Sequence, residues 1–387
     1  MDVVIVFIVL MLIYLLQRSV WNRRIAEIEK NHRQPSSSGY VDLLAFLHLV
    51  LFIVYFVYAL VERSDSGNYH RLTSESEDWF YWWGTDTSFI MFITWPFSHF
   101  LGLSYGSCML IFCYLGFQGV MLFYLSAKEN ISGLKPIYRS LTIIELVFLL
   151  PNVHFWSSSI GKGGTMLLGI GLIVYGLSRF QKRFLLIIFG AWLVYMIRGH
   201  ILFLIILGAG AGLMFTLKGI KWYYKGLMII AVAIVGISIL GDMKKYTGSN
   251  SLDVSGSAKF QKRAISNSSA TSGVDIGNYN QAQKLFTFWY RPLFVDAPGF
   301  LGIVVSFENM LYVLFTIQII RYGLVNWVKW NGWFRIGLFI FLFGSLALAQ
   351  IAGNLGIAMR QKAQIMPLFF IVYCKAMTYK GVRKRSG

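Results

Sequence analysis

Residues 184–216 read FLLIIFGAWLVYMIRGHILFLIILGAGAGLMFT, two apolar runs separated only by Arg198, Gly199 and His200. A membrane-spanning helix needs about 20 apolar residues, somewhat fewer at the low end. Each run therefore suits one span, with Arg198-Gly199-His200 as the link between them. A charged side chain at helix-centre depth costs about 2.5–3.5 kcal/mol on insertion scales and less near an interface. The Arg and His accordingly belong at a membrane face. This reading makes the chain an all-α, polytopic membrane protein.

The rest of the sequence repeats the pattern. Of its 387 residues 56% are hydrophobic and 13% charged, which excludes an ordinary soluble globule. The same criterion gives about eleven spans, near 2–16, 41–61, 104–126, 140–152, 164–178, 184–197, 201–216, 226–241, 300–319, 336–353 and 363–377. The apolar stretch 86–103 is interrupted by Pro96, Ser98 and His99. It reads as an interfacial or re-entrant piece. The run at 2–16 has no basic segment before it and no small-residue cleavage site after it, so it is expected to persist as a span. One membrane domain over 1–387 is expected, with no soluble domain and no internal repeat.

Lys and Arg concentrate in short cytoplasmic connectors. Connector 17–40 carries Arg18, Arg23, Arg24, Lys30 and Arg33; 127–139 carries Lys128, Lys135 and Arg139; 179–183 carries Arg179, Lys182 and Arg183. Residues 217–225 add Lys218, Lys221 and Lys225, and the tail adds Lys380, Arg383, Lys384 and Arg385. All fall on one side when the N-terminus is outside and the C-terminus cytoplasmic. This topology explains much of the +18 net charge. No basic region is interleaved with aromatics in a soluble module, so nucleic acid is not an expected partner. Cys108, Cys113 and Cys374 lie in apolar segments and give neither a disulfide framework nor a metal spacing.

Two large regions face outward in this topology. Region 62–103 contains the run Trp79-Phe80-Tyr81-Trp82-Trp83, which suits an interfacial belt or a platform for sugar rings. Region 242–299 contains the Ser/Asn/Gly-rich stretch Thr247–Gly277, whose composition buries no core and predicts a mobile loop.

Cations also gather at the outer ends of the spans, where the topology rule does not put them: His154, Lys162, Arg198, His200, Arg291, Arg360 and Lys362. Binding an anionic, phosphate-bearing substrate at the outer leaflet would account for them. The segment from Pro151 to Gly164, PNVHFWSSSIGKGG, combines hydroxyls, glycines and Lys162 at a helix start. That is a plausible anion cradle, and it equally suits a capping turn with a snorkelling Lys. Arg198 offers a bidentate clamp for phosphate, and His200 beside it a proton donor or acceptor. The segment Trp289-Tyr290-Arg291-Pro292-Leu293-Phe294-Val295-Asp296 leads to Glu308 inside the next span. An intramembrane carboxylate is a functional hypothesis by default, with a structural ion pair as the other reading. Asp86, in Gly84-Thr85-Asp86, reads either as an acid in the first outer loop or as a helix N-cap.

The order of these blocks resembles bacterial oligosaccharide repeat-unit polymerases, the Wzy-type O-antigen polymerase-like proteins. The matching blocks are Phe155 through Lys162, Arg198-Gly199-His200, Arg291-Pro292 with Phe307-Glu308-Asn309, and Asn354 through Arg360 to Pro367. The chain departs from the family where Arg198 is not followed by Pro-His, and where Phe294-Val295-Asp296 stands for a Pro-aromatic-acid pattern. The resemblance implies a fold related to the lipid-sugar glycosyltransferases (GT-C-like) and a location in the bacterial inner membrane. It implies transfer of an undecaprenyl-pyrophosphate-linked oligosaccharide to a growing glycan acceptor at the periplasmic face, beside membrane lipid and with a polysaccharide-export or chain-length partner. Arg198, Arg291 and Arg360 would contact pyrophosphate or sugar, supported by Lys362, His154 and Lys162.

Such a transfer needs stabilisation of the leaving pyrophosphate and activation of an acceptor hydroxyl. Glu308, His200, Asp296 and Asp86 are the candidate catalytic groups. No cofactor and no bound metal are expected. An O-antigen ligase-like enzyme would use much the same site with another acceptor. A lipid-glycan transporter would instead show paired discontinuous helices.

Overall fold

The computed structural model describes residues 1–62, 64–216, 223, 273, 274, 276, 278–297, 299–350 and 353–380. The expected span 226–241, nearly all of the Thr247–Gly277 stretch, and the cations Lys218, Lys221, Lys225, Arg383, Lys384 and Arg385 lie outside the described residues. Among the described residues the chain is helical, and its only β pairing is two isolated bridges. Six helices among the described residues are long and apolar enough to cross a bilayer, or seven if one sharply bent pair counts as a span. The protein is thus an all-α membrane protein, built as two compact units, Met1–Arg198 and Gly199–Gly387.

In the first unit the helices are α1 (Asp2–His32), α2 (Tyr40–Val61), α3 (Asp65–Glu75), α4 (Thr87–Trp95), α5 (Tyr105–Asn130), α6 (Ile143–Phe148), α7 (Pro151–Ser157) and α8 (Lys162–Ser178). The first part of α9 (Phe180–Thr216) completes it. The centre is α5: 72% of its most apolar window is buried, against 0% for α1 and 22% for α2. An apolar helix as exposed as α1 is stable where its surroundings are lipid.

Close backbone approach brings α8 onto α5. A Cβ at Gly119 would lie 2.8 Å from the Leu167 carbonyl carbon, and one at Gly171 would lie 3.1 Å from the Gly119 oxygen. Small residues admit this spacing, as they do between membrane helices generally. The stretch 140–152, expected as a span, is instead broken into α6 and α7, of six and seven residues. Thr142 and Glu145 form a capping box that starts α6, and Pro151 starts α7. A break of four residues then turns α7 into α8 by 114°.

Many of the cations assigned to cytoplasmic connectors are paired with carboxylates. Arg24 and Arg183 each reach Glu129 at 2.8 Å, and Arg18 reaches Asp42 at 2.5 Å. Lys128 is 1% exposed, between Glu29 at 2.9 Å and Glu145 at 3.0 Å. It is a buried cross-link rather than a solvated loop cation.

The 86–103 stretch does not span: α4 has nine residues and ends at Pro96, where a five-residue π turn, Pro96–Phe100, follows. Ser98 of that turn donates to Thr73 of α3 at 2.7 Å, so its polar residues hold the 62–103 region together.

In the second unit α10 (Gln281–Tyr290), α11 (Gly299–Gln318), α12 (Gly332–Ala349), α13 (Leu355–Lys362) and α14 (Met366–Met377) join the second part of α9. Residues Met366 to Cys374 of α14 are all buried. Phe369 of α14 stacks on Phe341 of α12 at 5.3 Å, and Tyr373 stacks on Phe315 of α11 at 3.9 Å. At 12 residues α14 is shorter than a full span. Its burial makes it the core of this unit instead. The α9 backbone leaves helical geometry at Arg198 (φ −155°, ψ 84°), so the expected link between two apolar helices is an actual break.

Candidate functional site

In the second unit, three separate blocks of sequence converge on Asn309. Its amide nitrogen donates to the Pro292 carbonyl at 2.8 Å, and its amide oxygen accepts from the Lys362 ammonium at 2.6 Å. Lys362 also donates to the Trp289 carbonyl at 3.1 Å. The loop after α10, the middle of α11 and the end of α13 are thereby tied at one point. Asn309 and Lys362 are fully buried and Glu308 is 3% exposed. Glu308 accepts a hydrogen bond from Tyr312, one turn further along α11. The Lys362 ammonium sits 5.5 Å from the centre of the Tyr312 ring.

The local sequence explains each position. Asn280 and Gln283 form a capping box that starts α10, which runs to Arg291. There the Arg291 guanidinium pairs with Asp296, whose carboxylate also accepts from the Leu293 backbone at 2.5 Å. The turn 291–296 is closed by these bonds, and Pro292 presents its carbonyl to α11. Asn354 caps α13 through a bond from the Ile357 nitrogen at 3.1 Å. Lys362 lies two turns further on, beyond half-buried Arg360.

Burial pushes the Lys362 ammonium down to about 7, while the nearby Glu308 carboxylate pulls it upward. An amine poised there gives or takes a proton near neutrality. Of the residues singled out from sequence, the second unit thus brings together Arg291, Asp296, Glu308 and Lys362. Sequence reasoning missed Tyr312, although Glu308 and Tyr312 share a helix face at i, i+4. It also treated Lys362 as an outer-face cation, whereas the side chain is enclosed.

The first unit pairs two other predicted residues. Lys162, first residue of α8, reaches the Asp86 carboxylate at 2.5 Å. Asp86 occupies the N-cap position of α4 but makes no side-chain cap bond. Its backbone is in a positive-φ conformation (φ 65°, ψ −124°), and its N–H donates to the Met196 carbonyl at 2.7 Å. A non-glycine residue held this way is a feature the surrounding structure has to enforce. Its carboxylate is 65% exposed and the Lys162 side chain 14%. The neighbouring hydroxyls turn inward: Ser158 donates to Phe155 and Thr165 to Gly161, both at 2.9 Å. His154 is 1% exposed and meets His48 at 2.9 Å. Arg198 is half-buried at the α9 break that ends the first unit, and His200 is half-buried at the start of the second.

The aromatic run divides in two. Trp79 stacks on Phe92 and Trp95 and donates to the Phe92 carbonyl at 2.9 Å, so it packs the 62–103 region. Phe80, Tyr81 and Trp83 point outward. Among the described residues no three His, Cys, Asp or Glu side chains come together as a metal-binding group.

Compared with known protein families, with curated proteins and with solved structures, the chain finds no match.

Proposed function

We propose that this protein is a membrane glycosyltransferase that extends lipid-pyrophosphate-linked oligosaccharide repeat units at the outer face of a bacterial inner membrane. The observation that supports this reading is that the Pro292 carbonyl, next to the Arg291–Asp296 pair, meets Asn309, next to Glu308, and Lys362 at one buried point. Glycosyl transfer from a lipid pyrophosphate needs fixed positive charge at the leaving group and a proton acceptor for the attacking hydroxyl. Arg291, oriented by Asp296, supplies the first, and Arg360 adds to it. Glu308 supplies the second, with Lys362 setting its charge state and His200 as the other base. In the first unit, Asp86 and Lys162 offer polar contacts for glycan, and the exposed rings Phe80, Tyr81 and Trp83 offer stacking surfaces. The donor is an undecaprenyl-pyrophosphate oligosaccharide, and a chain-length or export protein works alongside.

A lipid-glycan transporter is the second reading, favoured by the 114° break between α7 and α8. Glycan chain length separates the two. In cells lacking the gene, wild type restores long chains, while Arg291→Ala and Glu308→Ala at matched membrane levels leave single repeat units. Long chains restored by both variants would remove the polymerase reading. Absence of even single units at the outer face would favour the transporter.

A further inference from the structure

His48 of α2 and His154 of α7 form a buried pair that the proposed transfer chemistry does not use. Their Nδ1 atoms are 2.9 Å apart. The outer nitrogen of His48 lies 3.0 Å from the Cys113 carbonyl oxygen, and that of His154 lies 2.7 Å from the Phe148 carbonyl oxygen. A carbonyl only accepts, so both outer nitrogens carry hydrogen. Two neutral rings protonated at Nε2 would then face each other with bare Nδ1 lone pairs, which repel at this distance. One more proton, placed between the two Nδ1 atoms, satisfies all three contacts. Flipping either ring would put carbon against both of its partners, so the four nitrogens are where the contacts require them.

We infer that His48 and His154 share one excess proton, forming a proton-binding site inside the membrane part of the first unit. Two backbone carbonyls and the end of a helix face the pair. Phe148 is the last residue of α6, so its carbonyl lies at the negative end of that helix. The Phe117 ring lies 5.6 Å from His48. The titratable groups that line a cavity beside His48 are Tyr14 of α1, Asp42 of α2, and Cys113 and Tyr114 of α5, and Glu145 lies on α6, the helix whose end faces His154. Asp42 is taken by Arg18 and Tyr14, and Glu145 by Lys128, Thr142 and Tyr124. Among the described residues the two rings hydrogen-bond to each other and to the two carbonyls, so the proton is held by the rings and carbonyls themselves. The cavity beside His48, of about 240 Å³, is lined mostly by apolar side chains.

The pair joins α2 to the short helix that precedes the 114° bend into α8. Removing the shared proton sets two lone pairs against each other at that joint, so occupancy of the site is coupled to the position of α7.

Nitrogen NMR of the purified full-length protein, labelled with ¹⁵N-histidine, tests this. The chain has six histidines. At a pH about two units above the ordinary histidine value of about 6.5, solvated histidines are neutral. One residue is then expected with both ring nitrogens in the imidazolium range. That signal should survive replacement of His32, His70, His99 and His200 by Gln, and vanish in His48→Gln. Six neutral histidines in the wild type at that pH would overturn the inference, whichever variants fold. An imidazolium that survives His48→Gln would overturn it as well.

Discussion

At the scale of single residues, Lys362 carries the sharpest consequence. Its ordinary value is 10.5, and burial lowers it to about 7 in the folded protein. Between these values the folded state binds fewer protons than the unfolded state, so stability rises with pH across that window and levels off above it. Thermal unfolding in detergent from about pH 7 to 10 should show this rise, and Lys362→Met should flatten it. An identical slope in the two proteins would show that Lys362 is not held as described. Arg291 and Glu308 were visible in the sequence because each breaks an expectation, a cation on the wrong side and a carboxylate within a span. Asn309 and Tyr312 break none. An amide and a phenol in an apolar helix look like packing until a partner is known, and the partners of Asn309 come from blocks 17 and 53 residues away.

At the scale of elements, the α5–α7–α8 contact is set by backbone rather than by side chains. A Cβ at Gly116 would fall 1.9 Å from the Ser157 carbonyl oxygen, and one at Gly164 would fall 2.4 Å from the same atom. Gly116→Ala should therefore destabilise the protein by about 1–3 kcal/mol or more, as overpacking does. Gly337→Ala, where the nearest atom would be 3.8 Å away, should stay within about 1 kcal/mol of wild type. Equal melting temperatures for the two variants would contradict the packing described. The long apolar runs were legible because lipid selects for length and hydropathy. The division of 140–152 into α6 and α7 was not. An apolar segment carries no mark of whether it crosses a bilayer or folds back within protein, and here a capping box and a proline decide it. The pairing of Lys128 with Glu29 and Glu145 was hidden for a related reason. The topology rule counts cations without regard to the carboxylates they meet.

At the scale of the whole molecule, we propose that the first three long spans run with the N-terminus outside. A cysteine introduced at Ser76 should label with an impermeant thiol reagent in intact cells, and one at Lys135 should label only after permeabilisation. The native cysteines are buried, so they contribute little background. The reverse pattern would invert the orientation and move the Arg291–Glu308–Lys362 cluster out of reach of a lipid-linked glycan presented outside. The central claim is catalytic, and the most direct measurement is made on purified protein in lipid. Wild type and Glu308→Gln would be incubated with a lipid-pyrophosphate-linked repeat unit, and product length followed by mass spectrometry. Stepwise addition of whole repeat units by wild type, with at least a hundredfold loss in Glu308→Gln, is the predicted result. Unchanged repeat units after incubation with folded wild-type protein and its lipid-linked substrate would contradict the account.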